Sequence, residues 1–224
     1  MCGRSSLTKT EKELEERFKA TFYSEDLERY NPLPNFNVAP THMHPVITQD
    51  DPDALQFYRW GLIPSWAKDM KFGSRLINAR IEGIEEKPSF RQAFAKRRCI
   101  VPFDGYYEWQ KTSEGKIPYR IQLRNTEIFT IAGLYEHWKD PDGQLIHSFT
   151  LITKEANPTI QHLHDRQPMV LLPEQEKLWL DNHIPSKDLI HELGDVPGEY
   201  FTWYRVSTRI NKVTENDAGL IEPV

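Results

Sequence analysis

With 224 residues, 38% hydrophobic and 27% charged, the chain can bury one sizeable core and is too mixed in composition to be a disordered or low-complexity segment. Two cysteines, Cys2 and Cys99, exclude a disulfide framework and a cysteine-rich metal site. The net charge of −5 excludes a uniformly basic polyanion binder, yet residues 68–98 hold nine Lys/Arg against four Asp/Glu, and affinity for phosphates follows the local field rather than the total.

The chain opens Met1-Cys2-Gly3-Arg4. Methionine aminopeptidase trims Met1 when a small residue follows, which would leave an α-amine and a thiol on one residue. Those two nucleophiles can close a five-membered ring on an aldehyde, and both have usable reactive fractions near neutral pH. Taken alone, a cysteine at position 2 reads first as a frayed terminus without a role, and the functional reading needs the residues that accompany it. Thr8 followed by Glu11 reads as a capping box, and Leu14, Phe18 and Phe22 recur at helical spacing, so a helix is predicted over residues 9–22.

Short strand-like runs follow at 37–39, 45–48, 55–63, 99–110, 119–123, 128–136, 147–153, 169–172 and 200–206. Turn chemistry such as Ser113-Glu114-Gly115 separates them. Helical patches fall at 89–96, 173–181 and 187–193. The pattern predicts an α+β fold: a single domain over 1–224 with a curved, barrel-like, mainly antiparallel β core flanked by a few helices. Residues 187–224 carry no motif and read as a C-terminal elaboration. No apolar run approaches the ~18 residues of a membrane span and no signal peptide is visible, so a cytoplasmic protein without membrane association is expected.

Several residues have the chemistry of a site. In Ile77-Asn78-Ala79-Arg80, an amide that can orient a nucleophile lies beside a guanidinium suited to phosphate; a turn Asn and a surface Arg are the alternative. Glu108 follows Tyr106 and Tyr107 and precedes Trp109. If that stretch is buried, its carboxyl has a raised pKa and can act as general acid or base; otherwise it is an edge-strand glutamate. His164 and Arg166 sit two apart before an apolar strand and would face one side of an extended chain. A metal site from His162, His164 and Asp165 matches no strong spacing. Trp66, next to the basic segment, suits base stacking or the core, whereas Trp60 and Cys99 read as core.

Together these blocks resemble a known family. Met1-Cys2-Gly3-Arg4, Asn37-Val38-Ala39-Pro40-Thr41, Arg59-Trp60-Gly61-Leu62-Ile63-Pro64-Ser65-Trp66, Asn78-Ala79-Arg80-Ile81-Glu82, Cys99-Ile100-Val101-Pro102, Gly105-Tyr106-Tyr107-Glu108-Trp109 and His164-Asp165-Arg166 occur in the order found in the SRAP domain of abasic-site processing proteins. They span residues 2 to about 172. Gln167-Pro168-Met169 departs from the family's usual Met-Pro after its His-x-Arg, which puts the packing there in question. The resemblance implies capture of abasic sites in single-stranded DNA within the DNA damage response. The Cys2 amine, freed by removal of Met1, would form a Schiff base that its thiol closes to a thiazolidine. Glu108 would shuttle protons, His164 would assist sugar opening, and Asn78 would hold the amine. Arg4, Arg80 and Arg166, with Trp66, would contact the DNA. No cofactor and no metal are implied, and a monomer that joins the nucleoid when acting is expected. An N-terminal-nucleophile cysteine peptidase and a non-covalent single-strand binder are the competing readings.

Overall fold

The computed structural model describes residues 2–224, so the expected removal of Met1 lies outside the described residues. After a short strand β1 (Ser5–Leu7) comes helix α1 (Glu11–Phe18). Its capping box is Thr10 with Glu13, not Thr8 with Glu11. Glu13 N donates to Thr10 Oγ1 at 3.3 Å, and Thr10 N donates to Glu13 Oε2 at 2.8 Å. Thr8 is drawn away by Asp104, whose Oδ2 accepts its backbone N–H at 2.7 Å. The helix stops short of residue 22 because Lys19 caps it in the left-handed region, at φ 56°. Phe22 therefore falls in β2 (Thr21–Phe22) and packs on the ring of Phe57.

The chain continues through α2 (Ser24–Tyr30), β3 (Asn35–Val38), β4 (Met43–Thr48), β5 (Asp51–Trp60), a 3-10 turn at Met70–Arg75, β6 (Asn78–Arg80) and α3 (Arg91–Lys96). Then come β7 (Arg98–Phe103), β8 (Gly105–Thr112), β9 (Gly115–Leu123), β10 (Phe129–Lys139), β11 (Leu145–Glu155), β12 (Arg166–Pro168) and β13 (Val170–Leu171). Helices α4 (Pro173–Leu180) and α5 (Ser186–Glu192) precede β14 (Phe201–Arg205), and 3-10 turns follow at Thr208–Asn211 and Ala218–Ile221. No described helix is long and apolar enough to cross a membrane.

Strands β11, β10, β7, β4 and β5 pair in that order, and β5 returns to pair with β11, with Ser148 opposite Arg59 and Phe149 opposite Trp60. That last pairing is parallel while the others are antiparallel, so the ring is a closed five-stranded mixed barrel. The expected barrel-like α+β core is thus present. A second, antiparallel sheet runs β14-β9-β8-β1-β3. The run expected over 99–110 is two strands because β7 belongs to the barrel and β8 to the second sheet, with Asp104 at the crossing. Its Oδ1 accepts from Ser6 at 2.6 Å and from Arg120 Nη2 at 3.0 Å, in an ion pair that is almost fully buried. Gly105 follows because a Cβ there would lie 2.6 Å from Arg120 Nε. An apolar cluster that includes Cys2, Val38, Trp60, Val101, Phe103, Tyr106, Phe149 and Leu151 draws on both sheets, so Cys2 is part of the core.

Part of the basic segment turns inward. Arg98 is 1% exposed and donates to the carbonyls of Trp179 and Asp181 at 2.7 and 2.6 Å, and Arg97 pairs with Glu136 at 2.7 Å. Arg98 thus ties the end of α4 to β7, and Arg97 is taken up by β10. Cys99 is fully buried, and desolvation pushes its thiol far up, as expected of a small core hydrophobe.

Candidate active site

Cys2 is fully buried where the lead-in to β1 meets the barrel. Its Sγ lies 3.7 Å from Ser5 Oγ, and its carbonyl accepts from Asn78 Nδ2 at 2.7 Å. Asn78 reaches it because β6 runs parallel to β11, with Asn78 opposite Leu151 and Ala79 opposite Ile152. Alternation along the strand buries Ala79 in the core and turns Asn78 and Arg80 to the other face. Burial pushes the Cys2 thiol up to about 12, and the nearby Glu108 carboxylate adds to the rise.

Glu108 is 3% exposed, on β8 between Tyr107 and Trp109, so the buried alternative holds rather than the edge-strand one. Desolvation raises its pKa to about 7, and the carboxylate of Asp165 pushes in the same direction. It lines an open cavity of about 440 Å³ together with Trp109, Lys111, Lys116, His164 and Asn211. His164 precedes β12, and its Nδ1 accepts from the backbone N–H of Arg166 at 2.9 Å. In the neutral ring that bond leaves the proton on Nε2. Desolvation lowers the imidazole's pKa and favours this neutral form, while Asp165 Oδ1, 2.9 Å from Nδ1, pulls the other way. The departure at 167–169 is accommodated without disturbing His164. Gln167 Oε1 accepts from Asn157 N at 2.7 Å, and Met169 sits in the core.

Cys2, Asn78, Glu108 and His164 are thereby linked: Asn78 by a hydrogen bond to Cys2, Glu108 by its field on the thiol, and His164 by a shared cavity with Glu108. The residues expected to contact DNA divide. Arg80 and Trp66 are exposed, Trp66 edge-on to Phe72 at 5.2 Å. Arg166 makes a bidentate pair with Glu82, at 2.7 and 2.9 Å, and also donates to Thr153 O. Arg4 is half-buried and donates to Asn37 Oδ1 at 2.8 Å and to Ile210 O at 2.5 Å. No group of three or more His, Cys, Asp or Glu side chains among the described residues is placed to hold a metal.

The C-terminal region had no legible role in the sequence but backs this site. Asn37 Nδ2 donates to the carbonyls of Lys212 and Glu215 at 2.9 and 2.8 Å, and Trp109 Nε1 donates to Asn211 Oδ1 at 2.8 Å. Through Asn37 and Ile210, that turn holds Arg4, whose carbonyl accepts from Tyr107 N beside Glu108. Ser5 and the Ser6–Asp104–Arg120 network also escaped the sequence reading, since isolated Ser, Asp and Arg carry no pattern.

A closed mixed barrel packed on a second sheet, with a buried cysteine at the chain's second residue and an acid of that second sheet sharing a cavity with a histidine, defines the class to which this chain belongs. The chain is a member of the SOS response associated peptidase (SRAP) family, which it matches over residues 1–213. It is 38% identical over 225 residues to the abasic site processing protein YoqW of Bacillus subtilis, covering 99% of each chain. It is 30% identical to the abasic site processing protein YedK of Escherichia coli, with complete coverage of both, and 30% identical to HMCES of Xenopus tropicalis over 96% of this chain and 76% of that one. A crystal structure of a protein from Bacteroides thetaiotaomicron superposes with a TM-score of 0.92 at 28% identity, covering both chains fully.

Proposed function

We propose that this protein processes abasic sites in single-stranded DNA by forming a covalent cross-link through Cys2 once Met1 has been removed, by the chain itself or by a host aminopeptidase. The names of its relatives support abasic-site processing. The observation that carries the chemistry is a fully buried Cys2, held at its carbonyl by Asn78, within the field of the buried Glu108 carboxyl.

The order of steps follows from that burial. Burial holds the Cys2 thiol well above its ordinary range and so protonated at neutral pH, which makes the sulfur a poor first nucleophile. The α-amine attacks the ring-opened sugar aldehyde first, and loss of one water gives a Schiff base, as in lyase chemistry. The thiol then adds across the C=N bond. Its proton passes to the nitrogen, no atom is lost, and the product is a thiazolidine. Glu108, close to half-ionised at neutral pH, donates a proton to the departing water and accepts one during sulfur attack. Neutral His164 offers an Nε2–H to the oxygen released as the sugar opens. Asn78 fixes the Cys2 backbone, so the amine and thiol meet the same carbon. Closure removes an imine that would otherwise permit β-elimination and strand cleavage.

Arg80 and Trp66, both exposed, are the contacts available for the flanking strand, through phosphate and base face. Arg166 serves the strand only by exchanging Glu82 for a phosphate, and Arg4 acts as a brace for the Cys2 lead-in. Incubation with an oligonucleotide bearing one abasic site, followed by a denaturing gel, tests the reading. A shifted band abolished by Cys2→Ala supports it, and an unshifted wild-type protein refutes it. Cleavage of unrelated peptides without DNA would favour a peptidase, and salt-sensitive binding that survives Cys2→Ala with no covalent band would favour a simple binding module.

A further inference from the structure

The β8–β9 hairpin carries a charge arrangement that folding alone does not explain. Lys111 and Lys116 stand directly opposite each other across the two strands, both exposed. Like charges in that register repel and weaken a hairpin. Among the described residues neither lysine forms a salt bridge that would relieve the repulsion. Both line the same cavity as Glu108 and His164, and Lys111 is close enough to His164 to help lower its pKa. Trp109, whose indole N–H is fixed by Asn211, lines the same cavity. A pair of unneutralised cations at the mouth of a cavity that ends on a buried acid is the electrostatic form of an anion seat.

We infer that Lys111 and Lys116 together hold one or two backbone phosphates of the strand beside the reacting nucleotide, giving the site a second phosphate contact independent of Arg80. The inference rests on the proposal that a single DNA strand enters this cavity. Bound phosphate removes the repulsion across the hairpin, so the lysine pair trades a little stability of the free protein for grip on the strand. Such contacts position the strand without reading its sequence.

The test is a salt titration of binding by fluorescence anisotropy. The probe is a single-stranded oligonucleotide carrying a tetrahydrofuran residue, which lacks the aldehyde and so reports binding without the covalent step. Each phosphate neutralised on a single strand contributes about 0.7 to the slope of log K against log salt. Lys111→Gln with Lys116→Gln is expected to lower that slope by about 1.4 if each lysine takes one phosphate, or about 0.7 if they share one. The paired Lys→Arg variant should keep the wild-type slope, and the Gln pair should melt no lower than wild type because the repulsion is gone. An unchanged slope in the Gln pair overturns the inference. A separate covalent-capture gel on a true abasic oligonucleotide tells the two claims apart. Capture with an unchanged slope leaves the functional reading and sinks the lysine seat, whereas no capture with a lowered slope does the reverse.

Discussion

Glu108→Gln is expected to make the protein more stable and inactive at once, and the size of the gain follows from its burial. A group whose folded pKa lies above its unfolded value binds more protons in the folded state between the two, so stability falls as pH rises through that window. For Glu108 the window runs from 4.5, its unperturbed value, to about 7. Ionising the wild-type carboxyl therefore costs the folded state about 3 kcal/mol at pH 8, and nothing below pH 4 where both states are protonated. Gln keeps the shape and cannot ionise. The melting temperature of Glu108→Gln should thus gain on wild type by roughly 6–12 °C between pH 4 and pH 8, taking 2–4 °C per kcal/mol for a chain of this size. Differential scanning calorimetry at both pH values reads it, and taking the difference removes any pH-independent effect of the amide. The same variant should lose the covalent band. Equal offsets at pH 4 and pH 8 would show that Glu108 titrates normally and would remove the basis for its acid–base role.

Three further substitutions probe other parts of the account. Asn78→Ala removes the bond to the Cys2 carbonyl; at about 1–2 kcal/mol it should slow adduct formation some 5–30-fold in a time-course gel while leaving oligonucleotide binding near wild type. Arg120→Met strands the buried Asp104 carboxylate at the crossing between the two sheets and should destabilise the fold by about 3–5 kcal/mol in urea titration; a loss below 1 kcal/mol would contradict the network's role. Cys2→Ser should still form an imine that borohydride traps, but should lose the adduct that survives without reductant; an equally durable unreduced adduct would exclude ring closure by sulfur.

The longer strands were legible as runs rich in apolar, β-branched and aromatic residues set off by turn chemistry such as that at 113–115, whereas β1, β2, β6 and β12, at two or three residues each, are too short to carry a pattern. The closure of the barrel was not legible, because the parallel contact of β5 with β11 joins segments far apart in sequence and leaves no local signal. Helix α2 escaped for a different reason: it buries no residue, so it has no apolar stripe to read. At the site, Cys2, Asn78, Glu108 and His164 stood out through the combined motifs, and burial of Glu108 settled a choice that its neighbours left open. The turn near residues 210–215 was invisible because much of what it gives the site is backbone carbonyl, from Ile210, Lys212 and Glu215, which any residue type supplies. Arg4 and Arg166 show the converse limit: the motif names the guanidinium, and only the fold shows that Asn37, Ile210 and Glu82 already engage it.

The most direct test of covalent capture through Cys2 is the intact mass of the adduct with an abasic single-stranded oligonucleotide, followed by peptide mapping. The account predicts the mass of the chain without Met1 plus the oligonucleotide less one water, with the modification on the peptide that begins at Cys2. An adduct that retains Met1, a modification mapped to any lysine, or unmodified protein after prolonged incubation would contradict it.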